Sequence, residues 1–197
     1  MKNQHGGLLS FGFLVTLFFA TNGIDALMQA FNQSFHLNET RSFLKQKLIS
    51  VFLFMILSLL LLTATTLIIG SEITVDFLIK KGLLKGNLDV LILMLGKWII
   101  VLTLFFTAIS IFYYFGPVKK MKYKFISAGA TIATILSILA SLGFSYYVNN
   151  FGTYNKVYGS IGTIIVIMLL LEFNSRIILI GFDLNAKIAR HELKNNS

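Results

Sequence analysis

Residues 141–190 read SLGFSYYVNNFGTYNKVYGSIGTIIVIMLLLEFNSRIILIGFDLNAKIAR, and this stretch decides the fold class. It closes one apolar run at Val148, passes through a Gly/Tyr/Asn turn, and opens a second apolar run over about residues 159–182. As a helix, that second run is long enough to cross ~30 Å of hydrocarbon. Glu172 and Arg176 stand near its middle, where an ionisable group costs ~2.5 to 3.5 kcal/mol on insertion scales. A chain that keeps two of them there has a functional or a structural use for them.

Composition points the same way. The chain is 56% hydrophobic and 13% charged with a single Pro, and its mean hydropathy of +0.79 exceeds that of soluble domains. The apolar residues are bunched into long runs, as bilayer spans require and globular cores do not. With no cysteine, disulfides, thiolate metal sites and cysteine nucleophiles are excluded.

Upstream of the opening stretch, apolar runs place spans at about 7–21, 49–69, 90–115 and 125–148. The first continues as an amphipathic helix, with Asn22, Asp25, Gln29, Asn32 and His36 on one stripe and Ile24, Met28 and Phe31 on the other. A signal peptide fits poorly, because cleavage after Ala20 would put Phe18 where a small residue is needed. Residues 37–50 read as a surface segment capped at Asn38, and residues 71–90 as a short interfacial helix and a turn at Gly82 and Gly86. Gly116-Pro117 ends the third span. The expected fold is all-α: a polytopic helical membrane protein with five transmembrane helices in one integral-membrane domain over residues 1–197. Residues 183–197 form a cytoplasmic helical tail.

Charge sets the orientation. Ten of the 17 Lys and Arg residues fall on one side, in the groups Arg41, Lys45 and Lys47, then Lys119, Lys120, Lys122 and Lys124, then Lys187, Arg190 and Lys194. The richer side is the cytoplasm, which puts the C-terminus inside. The net charge of +9 is thereby explained by topology rather than by nucleic acid. The tetralysine segment is expected to meet anionic lipid head groups. Trp98, Tyr146 and Tyr147 mark the outer boundary as interface anchors, and Tyr113 and Tyr114 the inner one.

Glu172 and Arg176 are four residues apart on one helix face, and Asp183 returns to that face three turns on. Two readings stand side by side: a charged lining of a solute or proton path, or a self-neutralising pair that docks helices. Thr103 and Thr107 on the third span, with Asp25 and Asn32 on the first, are further candidates for a polar path. Hydroxyls in such helices more often bond their own carbonyls, and the first-span stripe more often lies in the head-group region. Gly129, Ala133, Ser137, Ser141 and Ser145 recur every four residues and predict close helix packing. Tyr154, Asn155, Tyr158, Gly159 and Gly162 are assigned to the outer turn, the glycines serving motion. His5, His36 and His191 are scattered, no metal or cofactor site is expected, and neither a phosphate loop nor a nucleophile elbow occurs. The chain is expected not to be an enzyme.

Several blocks carry a family resemblance: TNGIDALMQAFNQSF (21–35), ETRSFLKQKL (39–48), YYFGP (113–117), SLGFSYYVNNFGTYNKVYGSIGT (141–163) and LIGFDLNAKIAR (179–190). In order and over nearly the whole chain, they resemble the signatures of the YihY/BrkB family of bacterial inner-membrane proteins. The resemblance implies a multi-pass protein of the bacterial cytoplasmic membrane, normally with six spans, of which this chain is expected to lack the first. It also implies a link with virulence or serum resistance in some members, a proposed role in moving lipids or other solutes, and a ribonuclease BN label regarded as a misassignment. Family members commonly carry Glu where this chain has Asp183, and an aromatic or aliphatic residue near Glu172. The function expected is therefore transport of a solute or lipid, or else a non-transporting scaffold of the envelope, with lipids and further copies of the chain as partners.

Overall fold

A computed structural model describes residues 6–34, 37–82, 87–118, 126–150 and 153–195. Five helices account for its regular structure: α1 (Gly6–Ser34), α2 (Phe43–Lys80), α3 (Asn87–Phe115), α4 (Ala128–Asn150) and α5 (Thr153–Asn195). Each contains a stretch long and apolar enough to cross a membrane. Leu59, Leu61 and Leu62 on α2, Ile92 and Ile99 on α3, and Ile167, Met168 and Leu171 on α5 are all exposed. Water would penalise a surface of that kind and hydrocarbon does not, so the protein is a multi-pass membrane protein.

Three helix limits differ from those expected of the sequence. α2 starts at Phe43 rather than behind Asn38, which is exposed in the segment that precedes it. It then runs unbroken through residues 71–80 instead of giving way to an interfacial segment. Nothing there stops a helix: Glu72, Asp76 and Lys80 recur at intervals of four on one stripe, where Asp76 and Lys80 have the favourable order of opposite charges and none of the three interrupts the backbone ladder. The break comes at Gly82, whose φ of 69° suits glycine. At 38 residues α2 is ~57 Å long, well beyond the hydrocarbon thickness. α5 likewise begins at Thr153, so Tyr154, Asn155, Tyr158, Gly159 and Gly162 lie in its first turns and not in an outer loop. A helix glycine weakens but does not terminate a helix that has packing to sustain it.

The helices distribute over two compact units, residues 6–24 with 43–108, and residues 25–42 with 109–195. In the first, the Lys47 ammonium donates to Asn22 Oδ1 at 2.6 Å and lies 5.6 Å above the Phe18 ring. This basic side chain therefore runs along α1 while keeping a polar partner.

In the second unit the core is aromatic. Phe31 stacks on Phe182 with centroids 4.2 Å apart and meets Phe112 and Tyr113 edge to face at 5.4 and 5.7 Å. Tyr113 is buried and donates its hydroxyl to Ile178 O at 2.6 Å, so it is a core residue and not the interface anchor expected of it. An aromatic at the end of a span serves either purpose, and here the neighbouring Gly181 leaves room for its hydroxyl to reach α5.

Candidate functional site

The α4/α5 pair supplies both the firmest contact of the second unit and an open cleft. At the N-terminal end of α4 the Ser127 hydroxyl accepts from the Ala130 N–H at 3.2 Å as an N-cap. Asn185 on α5 accepts from the Gly129 N–H at 2.7 Å and donates to the Ser127 hydroxyl at 2.8 Å. Two of the orphan amides of the helix start are thus satisfied by a side chain from the neighbouring helix and by the cap. Gly129 and Gly181 bring the backbones together: a Cβ on Gly181 would stand 2.6 Å from Gly129 O and 2.8 Å from Ala133 Cβ. Ala133 and Ser137 continue the buried seam.

The expected ladder ends there. Ser141 and Ser145 are exposed, and no atom lies within 4 Å of a Cβ built on Gly143. Above Ser137 the helices frame a cleft of about 620 Å³, lined by Ala140, Gly143, Phe144 and Tyr147 of α4 and Ile165, Val166, Leu169 and Phe173 of α5. Larger side chains replace the small ones at this level, and the rings of Phe144 and Phe173 meet at 5.6 Å. Bulk holds the helices apart where glycine had let them touch.

Arg176 shares a helical stripe with Leu169 and Phe173, at i, i+4 and i+7, so the charged pair lies by the cleft, towards the C-terminal end of α5. Its Nη2 donates to Glu172 Oε1 at 2.6 Å, with 71% of the Arg176 and 53% of the Glu172 side chain exposed. The pair neutralises itself along its own helix and also presents hydrogen-bonding capacity outward.

Thr103 is exposed and donates to Ile99 O at 2.8 Å, the self-satisfied arrangement common for hydroxyls in apolar helices. Thr103 and Thr107 belong to the first unit and Glu172, Arg176 and Asp183 to the second. Asp25 and Asp183 are half-buried. Asn32 is 2% exposed, neither in water nor on a path. Its amide donates to Glu39 Oε2 at 2.8 Å and its carbonyl accepts from the Val118 N–H at 2.9 Å. Glu39 in turn takes two bonds from the Arg41 guanidinium, at 2.7 and 2.8 Å, and Arg41 Nη2 also reaches Gly116 O at 3.0 Å. These bonds from Arg41 hold the Glu39 carboxyl below the usual carboxylate range, against the opposing effect of burial. The cluster ties the end of α1, the segment before α2 and the Gly116–Val118 turn into one polar knot. Lys119, Lys120, Lys122 and Lys124 lie outside the described residues, as do the side chains of Tyr154, Asn155 and Tyr158.

A second polar feature escapes sequence reasoning. In the first unit Lys97 of α3 faces Glu72 of α2 across 4.0 Å, in a groove that Asp76 also lines. The signal available was a lysine in an otherwise apolar span, and it was the same kind of signal that singled out Glu172 and Arg176.

Comparison with known proteins fixes the family. The family model described as Virulence factor BrkB matches residues 1–197. The chain belongs to the BrkB family. Among BrkB-like relatives, the ribonuclease-like protein YfkH of Bacillus subtilis (strain 168) is 33% identical over 196 residues, covering 98% of this chain and 70% of YfkH. The UPF0761 membrane protein PM1616 of Pasteurella multocida (strain Pm70) is 32% identical over 137 residues, covering 68% of this chain and 42% of that protein. A UPF0761 membrane protein of Vibrio campbellii (strain ATCC BAA-1116) is 28% identical over 132 residues, 67% of this chain and 40% of the relative. The chain thus spans less than half the length of these two relatives. No solved structure matches it. In this BrkB-family chain several residues of the blocks that carried the resemblance supply bonds within the second unit: Asn32, Glu39 with Arg41, and Gly116 in the polar knot, and Asn185 at the start of α4.

Proposed function

We propose that the chain is a transport-related protein of the bacterial cytoplasmic membrane, and that the substrate it moves is amphiphilic. The observation that carries this reading is the apolar cleft between α4 and α5 with the Glu172–Arg176 pair beside it. A cleft of this size lined by aliphatic and aromatic side chains accepts a hydrocarbon tail. Exposed charge in a hydrocarbon setting is unfavourable unless water, protein or a polar group meets it, and the polar end of an amphiphile supplies such a group. Movement follows if the outer halves of α4 and α5 open and close about the glycine contact at their inner ends.

Topology belongs to the same proposal. The C-terminus lies in the cytoplasm, and Lys119, Lys120, Lys122 and Lys124 meet anionic head groups there. The name of YfkH speaks of ribonuclease likeness in that protein, and no catalytic step is assigned to this chain.

A second reading, a scaffold that transports nothing, is favoured by the pair's internal bond of 2.6 Å, which needs no outside partner. Reconstituted protein assayed for movement of fluorescent phospholipids and of small solutes separates the two. Transport predicts a rate at least about tenfold lower for Glu172→Gln or for the charge swap Glu172→Arg with Arg176→Glu, in protein that remains folded. A scaffold moves nothing in any version and tolerates the swap.

A further inference from the structure

The groove between α2 and α3 is not used by the reading above. It is about 380 Å³ in volume, within the range of small-molecule sites and too small for a whole lipid. Leu67 and Val75 of α2 and Leu93 and Met94 of α3 give it apolar walls. Lys97 lines it with only 10% of its side chain exposed, yet the carboxylate it faces, Glu72 Oε1, stands at 4.0 Å, beyond hydrogen-bond reach. An ammonium brings three donors, and an ion pair serving to lock two helices would close to ~2.8 Å. Glu72 is instead 70% exposed. Asp76 lies one turn further along the same face and lines the groove as well.

Two carboxylates and one nearly buried ammonium therefore face one small space. A simple anion arriving at Lys97 would meet both carboxylates, and a simple cation arriving at the carboxylates would meet Lys97. A molecule bearing both charges satisfies all three groups at once. We infer that the α2/α3 groove binds a zwitterion, its anionic group on Lys97 and its ammonium on Glu72 and Asp76. An aminophospholipid head group and a free amine-bearing phosphate share this chemistry, and the apolar walls suit the first carbons of a lipid's glycerol and tails. The inference goes beyond the cleft of α4 and α5 and stands without it.

Binding of phosphatidylethanolamine, phosphatidylglycerol and soluble phosphoethanolamine to the purified full chain, by native mass spectrometry or calorimetry in detergent, tests it. Wild type is expected to prefer phosphatidylethanolamine to phosphatidylglycerol by roughly tenfold, the effect of one or two hydrogen bonds to charged groups. Lys97→Gln loses about tenfold in affinity for phosphatidylethanolamine. Glu72→Gln with Asp76→Asn, at positions exposed enough to leave folding intact, abolishes the preference without weakening phosphatidylglycerol. Phosphoethanolamine that displaces the lipid at similar concentration assigns a soluble zwitterion, and lipid binding that it cannot displace assigns the head group; either sustains the site. Equal binding of the two lipids by wild type overturns the inference, as does a preference that survives in the Glu72/Asp76 double variant. The latter readout decides the matter even where Lys97→Gln does not fold.

Discussion

Alanine at Gly129 is expected to part the two helices, while alanine at Gly143, fourteen residues along the same helix, is expected to do nothing of the kind. A Cβ on Gly129 would collide with the Gly181 carbonyl oxygen and stand 2.6 Å from Asn185 Oδ1. Neither can yield cheaply, since one is backbone and the other is already bonded to the Gly129 N–H. From the reverse direction, a Cβ on Gly181 would be 2.6 Å from Gly129 O, also well inside ordinary contact, so an alanine at either glycine forces the backbones apart. Overpacking of a tight seam costs ~1 to 3 kcal/mol, and stretching the buried bond to Asn185 adds ~1 kcal/mol. The total of ~3 kcal/mol corresponds to an apparent unfolding midpoint lower by roughly 10 °C in a chain of this size. Gly143 has open space in place of a neighbour, so Gly143→Ala gains helix propensity worth ~0.8 kcal/mol and is expected to be neutral or slightly stabilising. Thermal unfolding of the three proteins in one detergent, followed by size-exclusion fluorescence, measures the difference. A Gly129→Ala variant that melts with wild type, or a Gly143→Ala variant that falls as far as Gly129→Ala, would refute the packing described for this pair.

The polar knot makes a pH prediction. The folded Glu39 carboxyl is depressed, so its contribution is present above the unfolded value of ~4.3 and is lost as pH falls through the folded value; wild type should lose stability below about pH 5 and Glu39→Gln should show a flatter profile in the same titration. Asn32→Ala removes both the donor to Glu39 and the acceptor for Val118 N–H in a buried setting, and unfolding measurements should show a loss of ~2 kcal/mol. Tyr113→Phe keeps the ring contacts with Phe31 and Phe182 but removes the hydroxyl's bond to Ile178 O, and should cost ~1 kcal/mol with no change in helix content by circular dichroism.

The number and type of helices were legible because bilayer spans announce themselves through sustained apolar length, and five such runs occur among the described residues. Limits were legible only where the chain carries a true breaker. Gly116-Pro117 stops α3 within a residue of the expected position, whereas the separate interfacial segment expected after residue 69 is a continuation of α2, since spaced charges on one stripe leave the hydrogen-bond ladder untouched. Glycine misled at the start of α5: Gly159 and Gly162 sit inside the helix, because a residue that raises the cost of a helix does not forbid it.

Site residues were legible in proportion to how local their chemistry is. Glu172 and Arg176 pair within one helix, so their spacing alone gives the contact. The spacing of Gly129, Ala133 and Ser137 likewise gives a seam, but the same spacing at Ser141 and Ser145 gives none, since what lies opposite is a property of α5 and not of α4. Asn185 carries no local signal at all: an asparagine two residues before a lysine reads as a solvated tail until α5 turns it toward the first amides of α4. Asn32 shares a polar stripe with Asn22, Asp25 and Gln29, and its two hydrogen bonds to residues 7 and 86 positions away are what permit it to be buried where they are not. A polar residue in an apolar helix thus states only that a partner is required. Which partner is decided by contacts across sequence, and at Lys97, where Glu72 stops 4.0 Å short, the Trp98 ring 5.6 Å from the ammonium meets its charge but offers no hydrogen-bond acceptor.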